Sequence, residues 1–533
     1  MRFKLRHLGV LALASVAMTA CADNLQVSNE NNPDLTRVYA DPSGVEGVVS
    51  TLYRSYHQGT AGNGGIEPQS DMLSLESYSA LANFGNGIRS AIPRLPINNQ
   101  RGNQVNGGNQ AEWNSLSRLM RTSATVVQAI DAYLDKDATL GTPSLDLRAR
   151  AFAMMVNGLA MGTLATIYDS VAIATAQTPT SAIPGFVGPA EAMTTALSVL
   201  DSAIAIIQSA PSTADATIPL EWMGGTALTP AQLVRLIRTY KAKFRISVAR
   251  TPGATIDWAL VLADATNGIT ADHQIALGGT WSSAMDAGQY HVPGSWHQIS
   301  LMYNGMADNS GNFVAFSAVP LLSRPGPTTL VVTPDTRWPA GATRAAQQAN
   351  SSLPLPAGQY IANRQGEDFF DGTNPWGSSQ YESRRWWSIR DNGGVGIYSF
   401  IDVDEINMIA AEANLALGNG PAAMTLVNNS RTQHGLAAFA DPAGTAPDCV
   451  PTLPTGACGN LREAMKYEKR METQLTGYMA WFLDSRRWGD LVQGTVLEWP
   501  VPNAEMDTRN QAFYDMPYPG ATGKTAGVGT YGY

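Results

Sequence analysis

A chain of 533 residues with a formal net charge of −9 and a pI near 5.2 is too long for one small core. Its length suits about three domains or one large repeat-like body. Its Lys and Arg residues are scattered with no basic stripe, so nucleic acid is not an expected partner. Charged residues are only 15% while Gly, Asn, Ser and Thr are plentiful, a mix that suits neutral polar ligands better than ionic ones.

The chain opens with Arg2, Lys4, Arg6 and His7, then an apolar stretch from Leu8 to Ala20. That stretch is too short to span a hydrocarbon core but suits a signal peptide. It ends in Met18-Thr19-Ala20-Cys21, which resembles the lipobox of bacterial lipoproteins, with Met18 where Leu is usual. The resemblance implies a signal peptide over 1–20 and diacylation of the Cys21 thiol, a stable membrane anchor. The alternative is a plain secretory signal with a chance cysteine. Asp23 at the second mature position is an inner-membrane retention signal in some bacteria, so the leader alone leaves the membrane open. No later run of about 20 apolar residues follows.

Residues 21–41 read as a polar, Asn-rich tether. Pro42–His57 reads as one helix, with Val45, Val48, Val49, Leu52 and Tyr56 on one side. Gly59 to Gly65 breaks it, and Asn83 to Asn109, rich in Gly, Asn and Pro, reads as an irregular loop. Helices are expected over Glu112–Asp135, Leu147–Asp169 and Ala190–Ser209. The second is full of small residues, which lets neighbours approach closely. Thr229–Arg250 is strongly amphipathic, with Pro230 in its first turn, and Thr255–Asn267 is its short partner. From Ala271 to Tyr398 the pattern becomes irregular and aromatic, with short strand-like runs such as Thr328–Val332. Helical pairing returns at Asp402–Leu417 and Pro421–Gln433, then at Leu461–Thr476 and Tyr478–Trp488. Glu412-Ala413, Leu417-Gly418-Asn419 and Ala422 resemble the tetratricopeptide pattern. The expected fold is therefore all-α, a tetratricopeptide-like superhelix of paired helices over about 42–268 and 402–490 with a large irregular insertion over about 271–400.

Cys449 and Cys458 lie in a Pro/Gly-rich loop of an exported chain, so a disulfide is expected there, with a metal site as the alternative. The chemistry-bearing patterns are otherwise incomplete. Gly520 to Thr525 is half a P-loop, with Tyr518 where a Gly is needed, and Gly527 to Gly532 fits GxGxxG with no helix to follow. His7, His57, His273, His291, His297 and His434 form no HExxH, and no GxSxG elbow occurs. Glu367, Asp368 and Asp371 cluster in the insertion as a solvated loop, a cation site or a carboxylate pair. The aromatics of the insertion, including Trp281, Tyr290, Trp296, Tyr303, Trp376, Tyr381, Trp386, Trp387 and Tyr398, either pin long loops or offer flat faces to sugar rings.

Several stretches resemble the SusD/RagB family of outer-membrane substrate-binding lipoproteins. They are Cys21 to Leu25 with Asn29 and Asn31-Asn32-Pro33, Arg150 to Asp169, Ala411 to Leu436, Glu468 to Gly489 ending Asp484-Ser-Arg486-Arg487-Trp488-Gly489, and Pro500-Val-Pro502-Asn-Ala-Glu505. Ser170 and Leu475-Thr476-Gly477 depart from the pattern. The resemblance implies a lipid-anchored protein of the outer membrane, facing the exterior. It would capture oligosaccharides or peptides and deliver them to a SusC-like TonB-dependent transporter, with no cofactor, metal or catalysis. It also implies ligand contacts at Asp71, Asn83, Arg89, Trp281 and Trp296, and a structural role for Asp484–Trp488. An exported glycoside hydrolase and a helical-repeat scaffold for protein assembly are the competing readings.

Overall fold

The computed structural model describes residues 38–60, 65–79, 86–103, 109–211, 213–281, 297–364 and 377–516. The signal peptide, Cys21, most of the tether, Asn83, Tyr290, His291, Trp296, the Glu367 cluster, Trp376 and the glycine-rich tail lie outside these residues.

Two short helices come first, α1 (Pro42–Val49) and α2 (Leu52–Thr60). The single helix expected over 42–57 is broken at Ser50-Thr51. There the hydroxyls of Ser50 and Thr51 donate to the Gly47 and Val48 carbonyls, a local alternative to helix continuation. Helix α3 (Ile66–Leu73) follows, a segment that sequence periodicity does not flag. The body is then built from α4 (Gln110–Leu134), α5 (Pro143–Ile167), α6 (Pro189–Ser209), α7 (Pro230–Ser247) and α8 (Trp258–Thr266). Their starts follow capping chemistry. Thr142 accepts from Leu145 N–H ahead of Pro143, and Thr229 with Gln232 forms a capping box ahead of Pro230. Helices α9 (Val403–Ala416), α10 (Gly420–Gln433), α11 (Leu461–Glu472) and α12 (Ala480–Trp488) follow the insertion, and shorter helices such as Leu220–Met223 and Asn503–Thr508 lie between or after these elements.

From α4 to α10 each helix packs on the next, and α9 docks on α8 across the whole insertion. Close approach depends on missing side chains. A Cβ at Gly158 of α5 would stand 2.7 Å from Leu200 Cγ of α6, and one at Gly162 would strike the Phe244 ring of α7.

The strands are short and paired antiparallel in twos: β1 (Ser77–Ser79), β2 (Val171–Ala172), β3 (Phe186–Val187), β4 (His273–Leu277), β5 (His297–Ile299), β6 (Ile361–Asn363), β7 (Tyr381–Ser383) and β8 (Gly396–Ile401). The pair β4–β8 runs from His273↔Ile401 to Leu277↔Gly396 and forms the neck of the insertion. No strand forms at 328–332. Gly326–Thr328 is a 3-10 turn set by Pro325 and Pro327, and Val331 N–H is taken by the Tyr381 hydroxyl at 2.9 Å. The insertion has its own core, with Tyr303, Phe313, Trp338 and Tyr381, which reaches Tyr467 and Met471 of α11 and Trp481 of α12.

Helix α11 is buried although Lys466, Glu468, Lys469, Arg470 and Glu472 lie along it. Each charge has a partner: Arg337 meets Asp335 (2.7 Å), Glu468 (3.0 Å) and Glu472 (2.6 Å), Lys469 meets Asp484 (2.7 Å), and Arg470 and Lys466 meet Asp490 (2.5 and 2.8 Å). The Asp484–Trp488 stretch joins this network. Arg487 pairs with Glu412 of α9, and the Trp488 indole N–H donates to the same carboxylate at 2.7 Å. Cys449 and Cys458 are joined in a disulfide with an S–S length of 1.95 Å. The last described segment closes the N-terminal half. Met516 bridges to Ile97, Trp499 bridges to Tyr168, and the Asn503 N–H and amide donate to Asn99 at 3.0 and 2.9 Å.

Candidate functional site

A groove of about 580 Å³ lies where the helical body meets the neck of the insertion. Its walls are Ser50, Thr51 and Arg54 at the start of α2, the turn Pro219–Gly225, Ala276 of β4, and Thr280-Trp281. The turn reaches this position because of its glycines. Gly224 and Gly225 have φ of 82° and 134°, a backbone region costly for residues with a Cβ. The Gly224 carbonyl accepts from Ala276 N–H at 2.6 Å, and a Cβ on Gly224 would stand 2.9 Å from the Trp281 ring. The turn is thereby held as an extra rung beside β4.

Two indoles make the floor. Trp281 lies 6.4 Å from the Tyr53 ring and 6.0 Å from the His57 ring, and at 7% exposure it offers an edge to the groove. Trp222 packs on Phe152 at 5.1 Å, with the Arg148 guanidinium 4.7 Å from its ring. Leu220 stands at the rim, 50% exposed. Beneath the floor, the Tyr53 hydroxyl bridges His273 Nε2 at 2.8 Å and the Tyr240 hydroxyl at 2.7 Å. Burial, helped by the neighbouring His57, pushes the His273 imidazole down to about 4, so the support is uncharged at neutral pH.

The groove's charge sits on two side chains. Arg54 is half-buried and Glu221 is exposed. Among the described residues, neither makes a hydrogen bond or ion pair. The hydroxyls of Ser50 and Thr51 are spent on backbone carbonyls. An aromatic floor, one cation, one anion and a glycine turn form a binding surface. Among the described residues, Glu221 is the one carboxylate in the lining, and no facing pair of the kind glycoside hydrolysis uses is found there. A cavity of about 510 Å³ between α6, α7 and α8, lined by Thr229, Arg235 and Asn267 among others, has no Trp or Tyr in its wall.

Of the residues implied by the resemblance, Trp281 lines the groove, while Asn83 and Trp296 lie outside the described residues. Asp71 and Arg89 do not line it; they are 4% and 3% exposed and spent on internal contacts. Burial pushes the Asp71 carboxyl up to about 7, beside Glu76, which accepts from Leu475 N–H at 2.6 Å. Arg89 donates to Gln69 Oε1 at 3.0 Å. Among the other aromatics of the insertion, Tyr303, Tyr381, Trp386 and Tyr398 are buried, and the Trp386 N–H donates to the Leu475 carbonyl at 2.6 Å. These rings pin loops. Sequence reading missed Arg54, Leu220, Glu221 and Trp222. The available signal was Trp222-Met223-Gly224-Gly225, an aromatic running into a double glycine between two helices.

No family model matches the chain, and no curated protein matches its sequence. The fold, however, is shared with solved structures of SusD-like proteins. A SusD homolog from Bacteroides thetaiotaomicron VPI-5482 aligns with a TM-score of 0.56 at 14% identity, covering 91% of this chain and 99% of that one. A SusD homolog from Parabacteroides distasonis ATCC 8503 aligns at 0.51 and 15% identity, covering 83% and 84%. A SusD-like carbohydrate binding protein from Bacteroides vulgatus ATCC 8482 aligns at 0.50 and 14% identity, covering 84% of each chain. The chain thus has the all-α SusD-like fold.

Proposed function

We propose that this protein is a lipid-anchored, cell-surface capture protein that binds an oligosaccharide in the Trp222–Trp281 groove without turning it over, and passes it to a TonB-dependent transporter. The groove carries this reading, since its indole floor, free polar rim and single carboxylate suit holding a sugar and lack the means to cleave one. The SusD-like fold supports it, as does the carbohydrate-binding protein from Bacteroides vulgatus that shares this architecture. The Cys21 lipobox supports the anchor. Asp71, Asn83, Arg89 and Trp296 remain part of the proposal as further ligand-binding residues, Asp71 and Arg89 being buried outside the groove's wall.

Aromatic contacts add about 0.5–1.5 kcal/mol each beyond area burial, so affinity should be modest, as capture and release require. A glycan array followed by calorimetry tests the reading. Wild type should bind at least one oligosaccharide with no product detected. Trp281→Phe, which keeps the core filled, should weaken binding, while Trp488→Phe should leave it unchanged. Release of shorter sugars from a bound oligomer would overturn capture without turnover, and unchanged affinity in Trp281→Phe would move the site elsewhere. Cys21→Ala should shift the protein from membrane to soluble fractions.

A further inference from the structure

Arg54 stands apart from the other arginines of this molecule. Buried or half-buried guanidinium groups elsewhere are occupied. Arg337, Arg385, Arg431, Arg470 and Arg487 meet carboxylates, and Arg89, Arg94, Arg324 and Arg486 donate to carbonyls. Among the described residues, Arg54 is the one buried or half-buried arginine that has no hydrogen bond, ion pair or ring contact. It lies in the wall of the groove, on the turn of α2 that also carries Tyr53, so the helix fixes its base against the aromatic floor. An exposed lysine or arginine without a partner is ordinary, because water solvates it. Arg54 is half-buried as a residue, so part of its stem packs in the groove wall while its guanidinium has no partner among the described residues. Its fork of donors matches a carboxylate or sulfate bidentately.

We infer that the groove takes an anionic saccharide, with Arg54 clasping a ring carboxylate or sulfate while the sugar body lies against the Trp222 and Trp281 edges. The inference rests on the capture reading and narrows its ligand class. It also departs from what overall composition suggests, since a chain sparing in charge has placed one uncompensated cation in its aromatic groove. Among the described residues, Glu221, on the exposed turn, is the only candidate counter-charge in the lining. A swing of Arg54 onto it would make a solvent-exposed pair, which is weak in water and easily exchanged for a held ligand. Glu221 is then free to accept hydrogen bonds from sugar hydroxyls.

The test compares one sugar in two charge states: an oligogalacturonide and its fully methyl-esterified form, titrated into the mature protein and into Arg54→Gln. A charge-assisted bidentate contact should give wild type roughly tenfold preference for the acid form. Arg54→Gln should abolish the preference by weakening the acid form far more than the ester, and should melt with wild type because no internal contact is lost. Raising salt should erode binding of the acid form alone. Sulfated and unsulfated forms of one further oligosaccharide, measured in the same way, distinguish a carboxylate ligand from a sulfate. Equal affinity for charged and neutral forms, or a preference that survives Arg54→Gln, would sink the inference and leave capture standing. Failure of wild type to bind any charged or neutral glycan of a broad array would overturn the capture reading itself.

Discussion

Helices α5 and α11 are both enclosed on nearly every side, and they are enclosed by opposite means. Helix α5 is surrounded through fit, with Ala151, Ala153, Gly158, Ala160 and Gly162 letting α4, α6 and α7 close in. Helix α11 is surrounded through charge, with Lys466, Glu468, Lys469, Arg470 and Glu472 each meeting a fixed partner from the insertion, from α12 or from the segment after it. The contrast teaches that burial and hydropathy are separable. An apolar helix tolerates loss of an atom more readily than gain of one, whereas a buried ionic helix tolerates neither partner's loss, because the survivor keeps its desolvation cost.

The largest effect should come from breaking α11's network. Arg337→Ala strands Asp335, Glu468 and Glu472, and urea denaturation should show a loss of about 3–5 kcal/mol. A loss below about 1 kcal/mol would mean the network is idle.

Acid should separate the two regions next. Burial alone would raise the Glu412 carboxyl, but the Arg487 guanidinium brings it from its ordinary 4.5 down to about 2. That contribution is present above pH 4.5 and is lost as pH falls toward 2, on the order of 3 kcal/mol. In the α4 region the sign reverses. Burial drives Glu112, whose Oε1 accepts from Ile66 N–H at the start of α3, up to about 8. Its contribution is fully present below about 4.5 and is lost as pH rises through about 8. Thermal melts across pH should show both limbs. Glu412→Gln should flatten the acid one and Glu112→Gln the alkaline one, and identical profiles for wild type and variants would refute the assignment.

The closed loop that leads into α11 should matter slightly less. Cys449→Ser with Cys458→Ser should lower stability by about 2–3 kcal/mol by freeing a short loop in the unfolded chain. Mass spectrometry of unreduced, denatured protein should find both thiols blocked to iodoacetamide. On the apolar side, Gly158→Ala should cost about 1–3 kcal/mol through overpacking against Leu200. A neutral or stabilising result would show that α5 and α6 have room to separate.

The rows from α4 to α8 and from α9 to α12 were legible in the sequence because amphipathic spacing, N-terminal prolines and terminal glycines agree there. Helix α3 and the short Asn503–Thr508 helix were not, since Glu67, Gln69, Ser70 and Asp71 blur any apolar stripe. The break between α1 and α2 was hidden because two hydroxyls, not a Gly or Pro, make it. Burial of α11 was invisible because its partners lie far away in sequence, as Arg337 does. The groove was half legible for the same reason. Trp281 stood out as an aromatic in an irregular stretch, whereas Arg54 and Trp222 join it only through the pairing of β4 with the Gly224 turn.

The bridges from Trp499 to Tyr168 and from Met516 to Ile97 bear on the order in which the chain can mature. Synthesis delivers α4 and α5 early, but strands and loops that cover them arrive only with the final part of the polypeptide. Arg486 makes the dependence sharper, since it donates at once to the carbonyls of Thr166 and Ser247, the closing turns of α5 and α7. Until α12 has been made, those helix ends have exposed acceptors and the aromatic Trp499 is missing from the core. The packing of α4, α5 and α7 is therefore complete only once residues 486–516 are in place.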